Sequence, residues 1–472
     1  MGGTAVRARL EAVIRHAANG SRRGATVALV AVLASVAAFP LIASGDEPQP
    51  KGGARADDDR RTELPDARTR TSRTYAAADG SRVTRLYAGP VNYRKDGEWH
   101  IIDNTLVPSG AGGYAFENKD NSYVARFPDE LSGEPVRIDH GDEWLEFQLE
   151  GAAAEGAAER REATYDDAFP GVDVSYLADS NSVKESLTLA NASARARYGF
   201  SLDMSDGIEP RESDAGGIEF VDANGDVAFA FAPPYMVDAG GERSDAVTMS
   251  LDRDASGYRA VVAADRDWIE SSDREFPVVI DPNTTVGATE DCYMVGGSQA
   301  TSHFCGYADN WMTIGTAGGT DGLNPRRAYV RFDTSSIPKD AELVYADMSL
   351  YYGAGTSRNV DVHRLTRSST SGRTWNTYDG TNAWTSPGGD IDSTVAASNP
   401  TAGANGVGWY HWYPTELVQK WVDGTDANHG VILEDNLSSG AGSVIQFAQQ
   451  EQAGKEPYVD VKWKYRNGRE PQ

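Results

Sequence analysis

Residues 218–231 read IEFVDANGDVAFAF, with Ile218 and Phe220 before Asn224-Gly225 and Val227, Phe229 and Phe231 after it. Apolar residues recur at every second position, and a strand sends successive side chains to opposite sides. Asn-Gly accepts the positive φ of a tight two-residue turn. The stretch therefore predicts a half-buried hairpin. Upstream, Trp144–Leu149 (WLEFQL), Val172–Tyr176 (VDVSY) and Ser186–Leu189 (SLTL) carry the same period. Val91–Asp103 reads as a hairpin turning at Asp96-Gly97, and Tyr258–Val262 and Phe276–Ile280 continue the series to a boundary at Asp281-Pro282-Asn283. Gly151–Arg161 is Ala/Glu-rich and reads as a loose connector, a short helix being the alternative. Short strands with a turn every 8–12 residues indicate a sandwich.

The second half is also β but differently furnished, since seven of the ten tryptophans follow residue 286. Its one predicted helix spans Thr415–Gly424. Thr415 is expected as N-cap and Gly424 at the left-handed end. Leu417, Val418, Trp421 and Val422 would form one apolar stripe lying on a sheet. The 472 residues, with 49 Gly, 21 Pro and 21 Tyr, suit a turn-rich aromatic β protein. The expected class is all-β: an amino-terminal β-sandwich-like domain over 75–283, then a jelly-roll β-sandwich over 286–465 with one short helix, and a tail at 466–472.

Five arginines precede the apolar run 25–43 (ATVALVAVLASVAAFPLIA), and small residues follow at Ala43-Ser44-Gly45. This pattern predicts an export signal over 1–45; a single membrane anchor is the rival reading. After cleavage no stable membrane span is expected. Residues 46–74 are polar and read as a disordered linker. The formal net charge is −26. It is unevenly spread: residues 46–285 carry 25 basic and 48 acidic side chains, residues 286–472 carry 14 and 21. Such a balance opposes nucleic-acid binding, which needs a basic surface facing phosphates.

Specific strings add to this reading. Residues 327–338 (RAYVRFDTSSIP), Thr374-Trp375-Asn376, 384–390 (WTSPGGD), 417–424 (LVQKWVDG) and 447–451 (FAQQE) with 457–461 (PYVDV) occur in order. Together they resemble DNRLRE domains, which are grouped with carbohydrate-binding module family 96. The resemblance implies an extracellular jelly roll on carbohydrate-associated proteins. Residues 169–176 (FPGVDVSY), Lys184-Glu185 and 276–282 (FPVVIDP) resemble the amino-terminal region of bacterial wall-associated YD-repeat proteins. In those proteins a repeat shell and a toxin tail follow; neither is present in these 472 residues, so toxicity is not carried over.

Cys292 and Cys305 in an exported chain predict a disulfide closing a loop worth about 3 kcal/mol in chain entropy; free thiols, or a metal pair with His303, are the alternatives. Sugar recognition needs flat aromatic faces and a few polar anchors. In 409–413 (WYHWY), Trp409, His411 and Tyr413 share one face and Tyr410 and Trp412 the other. Trp375 and Trp421 read as packing residues. Tyr351, His363, Arg364, Trp384 and Trp409 are the candidate glycan-binding residues. A structural calcium ion would find weak loops at Asp222-Ala-Asn224-Gly225-Asp226, Asp390-Ile-Asp392 and Glu290-Asp291, though an Asn-Gly hairpin accounts for the first. No nucleophile elbow, zinc-protease helix or phosphate loop occurs. The expectation is a non-enzymatic exported protein whose second domain holds extracellular or cell-wall polysaccharide. The alternative is the structural or delivery head of a wall-associated toxin system.

Overall fold

The computed structural model describes residues 61–466 apart from 214–215, 241, 256, 286–290, 306–310, 320–321, 436–442, 451 and 453. The expected export signal, the first part of the linker and residues 467–472 lie outside the described residues. The protein is nearly all strand, and only one helix among the described residues exceeds seven residues.

In the amino-terminal half two antiparallel sheets close on one core. One sheet runs from Val247–Asp254 through Gly257–Ala264, Arg197–Met204, Glu143–Leu149, Val136–His140, Tyr123–Pro128 and Tyr114–Asp120 to Asp103–Pro108. The other carries Glu162–Phe169, Val172–Ala178, Ser182–Leu189, Ile218–Val221 and Val227–Phe231 among its strands. Phe127 stacks on Tyr176 with ring centroids 5.8 Å apart, and Phe147 meets Phe231 edge-on at 5.6 Å, so rings from both sheets interdigitate. The 218–231 hairpin forms with Gly225 at φ +88°, but its turn is a three-residue loop between Asp222 and Asp226 with a register shift at Phe220/Val221, not a two-residue turn. Gly151–Arg161 is a connector that ends in a short strand, Ala157–Glu159.

The second half is built on one continuous hydrogen-bonded network of thirteen strands around a second core. Ala341–Gly355 is its longest strand: it pairs with Tyr458–Tyr465 near its start and with Gly408–Trp412 and Ser443–Ala448 towards its end. The helix Thr415–Asp423 packs Leu417, Val418, Trp421 and Val422 into this core. Gly424 closes it at φ +73°, but its N-cap position is Pro414. Thr415 is instead the first helical residue, and its hydroxyl accepts from the Ala346 N–H at 3.0 Å, tying helix to sheet. Cys292 and Cys305 are disulfide-bonded. The Arg373 guanidinium is buried beside them, 3.8 Å over the Tyr329 ring and donating to Cys292 Sγ at 2.7 Å.

Residues 61–74 depart from their expected linker character. Thr62–Glu63 pairs with Ser72–Ala76, which pairs with Arg82–Tyr87, and that strand adds to Tyr458–Tyr465 near the far end of the chain. Leu86 is buried in the second core. Arg85 grips Asp460 through two hydrogen bonds of 2.8 and 3.0 Å, and Trp463 Nε1 donates to Thr84 Oγ1 at 3.0 Å. The polar, arginine-rich stretch is ordered as the outer strands of a local meander, whose inner strand Arg82–Tyr87 is the one that joins the far end of the chain.

Candidate glycan-binding face

The alternation of 409–413 is realised as read. Tyr410 and Trp412 are buried, while Trp409 and His411 are half-buried on the opposite face and Tyr413 is exposed. Trp409 lies directly opposite Tyr351, and Ser349 opposite both His411 and Tyr458, so all five share one side of the sheet. Tyr351 and Trp409 meet edge-on with centroids 5.4 Å apart, and Trp409 lies 5.0 Å from Tyr458. Lys455 Nζ sits 4.9 Å from the Tyr351 ring and 5.9 Å from Trp311. A Cβ on Gly353 would fall 2.2 Å from Trp311 ring atoms, so glycine is what lets that indole lie against the backbone. His411 Nδ1 is 2.9 Å from Asp347 Oδ1 and 3.0 Å from Ser349 Oγ. Aromatic rings, an ammonium group and an imidazole–carboxylate pair on one face combine C–H stacking surface with hydrogen-bonding anchors.

The other candidates fall elsewhere. Trp384 is corrected to a core residue: it is 5% exposed, its Nε1 donates to the Thr374 carbonyl at 2.9 Å, and it packs with Met294, Leu365, Ile432 and the disulfide. A buried indole with its N–H already satisfied offers no face to a sugar. His363 is likewise buried, with Nδ1 2.9 Å from the Asp392 carbonyl and Nε2 3.3 Å from Glu434 Oε1. Arg364 pairs with Asp392 at 3.1 Å and Asp426 at 3.8 Å. Trp375 packs against the small disulfide core, and Trp421 is buried.

Three members of the face, Trp311, Lys455 and Tyr458, were not among the sequence candidates. The alternation of 457–461 does place Tyr458 and Asp460 on one side, but nothing local says that Trp409 is their neighbour. A polar cleft of about 760 Å³ was also missed; Arg327, Thr366, Arg367, Thr385, Asp390 and His429 line it. Arg367 Nε pairs with Asp390 at 2.6 Å, and Arg327 with Glu434 at 2.5 Å. Burial, then Arg331 and Arg364, hold the His429 pKa below its ordinary value.

Neither calcium loop that can be read whole is free for an ion. The Asp222 carboxylate accepts from the Asn224 and Asp226 N–H groups at 2.9 and 2.8 Å, as a hairpin requires. Asp390 and Asp392 are committed to Arg367 and Arg364. Asp291 is buried and accepts from the Gln450 N–H at 2.7 Å; Glu290 lies outside the described residues. Among the described residues no group of three or more His, Cys, Asp or Glu is placed to hold a metal ion.

Residues 282–462 match the model of carbohydrate-binding module family 96. The aromatic face belongs to this module, whose sheet also recruits strands from before residue 88. Among curated proteins, the chain is 22% identical over 442 residues to the tRNA nuclease WapA of Bacillus subtilis (strain 168), covering 87% of this chain and 18% of that protein. It is 22% identical over 446 residues to the tRNA3(Ser)-specific nuclease WapA of Bacillus spizizenii, with the same coverage. The chain thus spans less than a fifth of the length of these relatives. Among solved structures, the N-terminal domain of the Streptococcus gordonii adhesin Sgo0707 aligns over 87% of this chain and 90% of that one, at 7% identity and a TM-score of 0.15, which carries no argument. No helix among the described residues is long and apolar enough to cross a membrane.

Proposed function

We propose that the protein acts outside the cell as a non-catalytic binder of polysaccharide, the cell wall's own glycan included, through the Tyr351–Trp409 face. The observation that carries this reading is the pair of half-buried rings, Tyr351 and Trp409, on the sheet surface of a region that matches a carbohydrate-binding family. Buried rings stabilise a fold, whereas rings left at the surface cost solubility unless something stacks on them. Net charge −26 accords with solubility outside the cell and with a partner other than nucleic acid. The test is retention of the full chain on insoluble polysaccharides, purified wall sacculi among them. Trp409→Ala and Tyr351→Ala should each weaken retention about tenfold while circular dichroism stays unchanged. A folded wild-type chain retained on no polymer overturns the reading.

The second reading is a structural or delivery head of a wall-associated toxin system. It is supported by the relatives named tRNA nuclease, which match through both halves of this chain. Incubation with tRNA separates activity from architecture: these residues should leave tRNA intact, and cleavage abolished by no single-site change on the aromatic face would make the chain an enzyme.

A further inference from the structure

The strands Asn92–Lys95 and Glu98–Ile101 form a hairpin apart from the large sheets. Asn92 pins it: its amide donates to the Thr69 and Ser72 carbonyls at 2.7 and 3.0 Å and accepts from Arg73 Nε at 3.1 Å. Arg68 Nη1 holds the Trp99 carbonyl at 3.2 Å, and the Arg70 carbonyl accepts from the N–H groups of Val91 and Asn92. The hairpin thereby forms one wall of a cleft of about 440 Å³. Tyr93 and Trp99 come from this wall, His140 and Glu143 from the next hairpin, and Asp226 from the turn at Asn224-Gly225.

Arg70 also lines this cleft. Its side chain makes no ion pair among the described residues. Removal from water holds its pKa below the ordinary arginine value, with no neighbouring carboxylate raising it. His140 is likewise held below its ordinary value by burial, with Glu143 pulling the other way and Arg70 adding to the lowering. The cleft therefore offers a guanidinium without an ion pair among the described residues, an indole, an imidazole, and the three carboxylates of Glu143, Asp222 and Asp226, which accept hydroxyl protons. Asp222 is held in its own turn, its oxygens accepting from the Asn224 and Asp226 N–H groups and from the Asn224 side-chain amide. The chain's overall negative charge is screened within about 8–10 Å at physiological salt, so the preference inside the cleft is set by its own lining, in which Arg70 and Arg94 stand with Glu143, Asp222 and Asp226.

We propose that this cleft is a second saccharide site, independent of the aromatic face, and that it takes a sugar carrying a carboxylate or phosphate. Arg70 holds the anion, and Trp99 stacks on the ring. Titration calorimetry of the full chain tests it with three probes: a uronic-acid oligomer, its neutral counterpart, and a glycerol-phosphate oligomer. One of the charged probes should bind, and the neutral one at least tenfold more weakly; which charged probe wins tells carboxylate from phosphate. Arg70→Gln should lower that affinity at least tenfold and flatten its salt dependence, whereas Trp409→Ala should leave it unchanged. Among the described residues the Arg70 side chain makes no ion pair, and the circular dichroism and melting of Arg70→Gln should match the wild type. No binding of either charged probe, or binding that Arg70→Gln leaves unaltered, overturns the site. Loss with Trp409→Ala alone returns the ligand to the aromatic face.

Discussion

Both halves of the molecule use the same two-residue alternation, yet they spend their outward positions differently. In the amino-terminal sheet, Arg126, Arg137 and Glu146 stand directly opposite one another on three neighbouring strands. Arg137 donates to Glu146 at 2.6 Å and covers the Trp144 ring at 4.5 Å, so the one large ring there is capped by charge. In the carboxy-terminal sheet Tyr351, Trp409 and Tyr458 lie ring beside ring, with Arg85 4.1 Å over the buried Tyr458 and Lys455 4.9 Å from Tyr351. The inward code makes both sandwiches; the outward code groups aromatic rings side by side on one of them.

The contrast is broken most severely by separating the halves. The family match begins at residue 282, but the strands Ser72–Ala76 and Arg82–Tyr87 complete its sheet. A fragment starting at 282 bares the edge Tyr458–Tyr465 and loses Leu86 from its core. It should aggregate or melt far below the full chain, and adding back residues 61–88 in trans should not restore a single cooperative transition. A fragment melting as the full chain does would make the module self-sufficient.

Next comes the pair of tryptophans on one strand. Trp412 is fully buried and its Nε1 donates to the Val360 carbonyl at 2.8 Å. Trp412→Ala should cost about 3–5 kcal/mol in denaturant titrations, while Trp409→Ala should cost about 1 kcal/mol or less and act on binding instead. Equal costs would erase the distinction between inner and outer rings.

The amino-terminal core carries its own marker. Glu185 is fully buried, its Oε1 accepts from the Tyr176 hydroxyl at 2.7 Å, and burial pushes its pKa up to about 8. The native state therefore holds a proton that the unfolded chain releases above about pH 4.5. Stability from this group is full below that pH and is lost as pH rises through 8. The loss is on the order of 3 kcal/mol by pH 7. Glu185→Gln should flatten the profile and raise the melting temperature at pH 8; an unchanged slope between pH 5 and 8 would mean the carboxyl ionises in place. The smallest effect belongs to the charged outer face. Arg137→Ala should shift stability by about 1 kcal/mol or less and leave polysaccharide retention untouched.

Strand positions, the Asn224-Gly225 hairpin, the helix stripe ending at Gly424, the disulfide and the two faces of 409–413 were all legible before any coordinates. Each depends on neighbours a few residues apart, or, for the cysteines, on oxidation chemistry and a short loop. Trp384 was misread because composition cannot say whether a ring lies over a sheet or under a loop. The polar stretch 61–74 carries no strand pattern of its own: its strands pair with Arg82–Tyr87, which in turn adds to Tyr458–Tyr465. Tyr351 and Trp409 were named from sequence, but Trp311, Lys455 and Tyr458 join them from segments forty or more residues away on either side. The cleft of Arg70 and Trp99 left no local signal at all. Period-two patterning is written in adjacent residues and states which way a side chain points. Which residues then meet, and whether a ring is sealed or open, depends on pairings across hundreds of residues, where loop closure and packing choose among many strands that locally look alike.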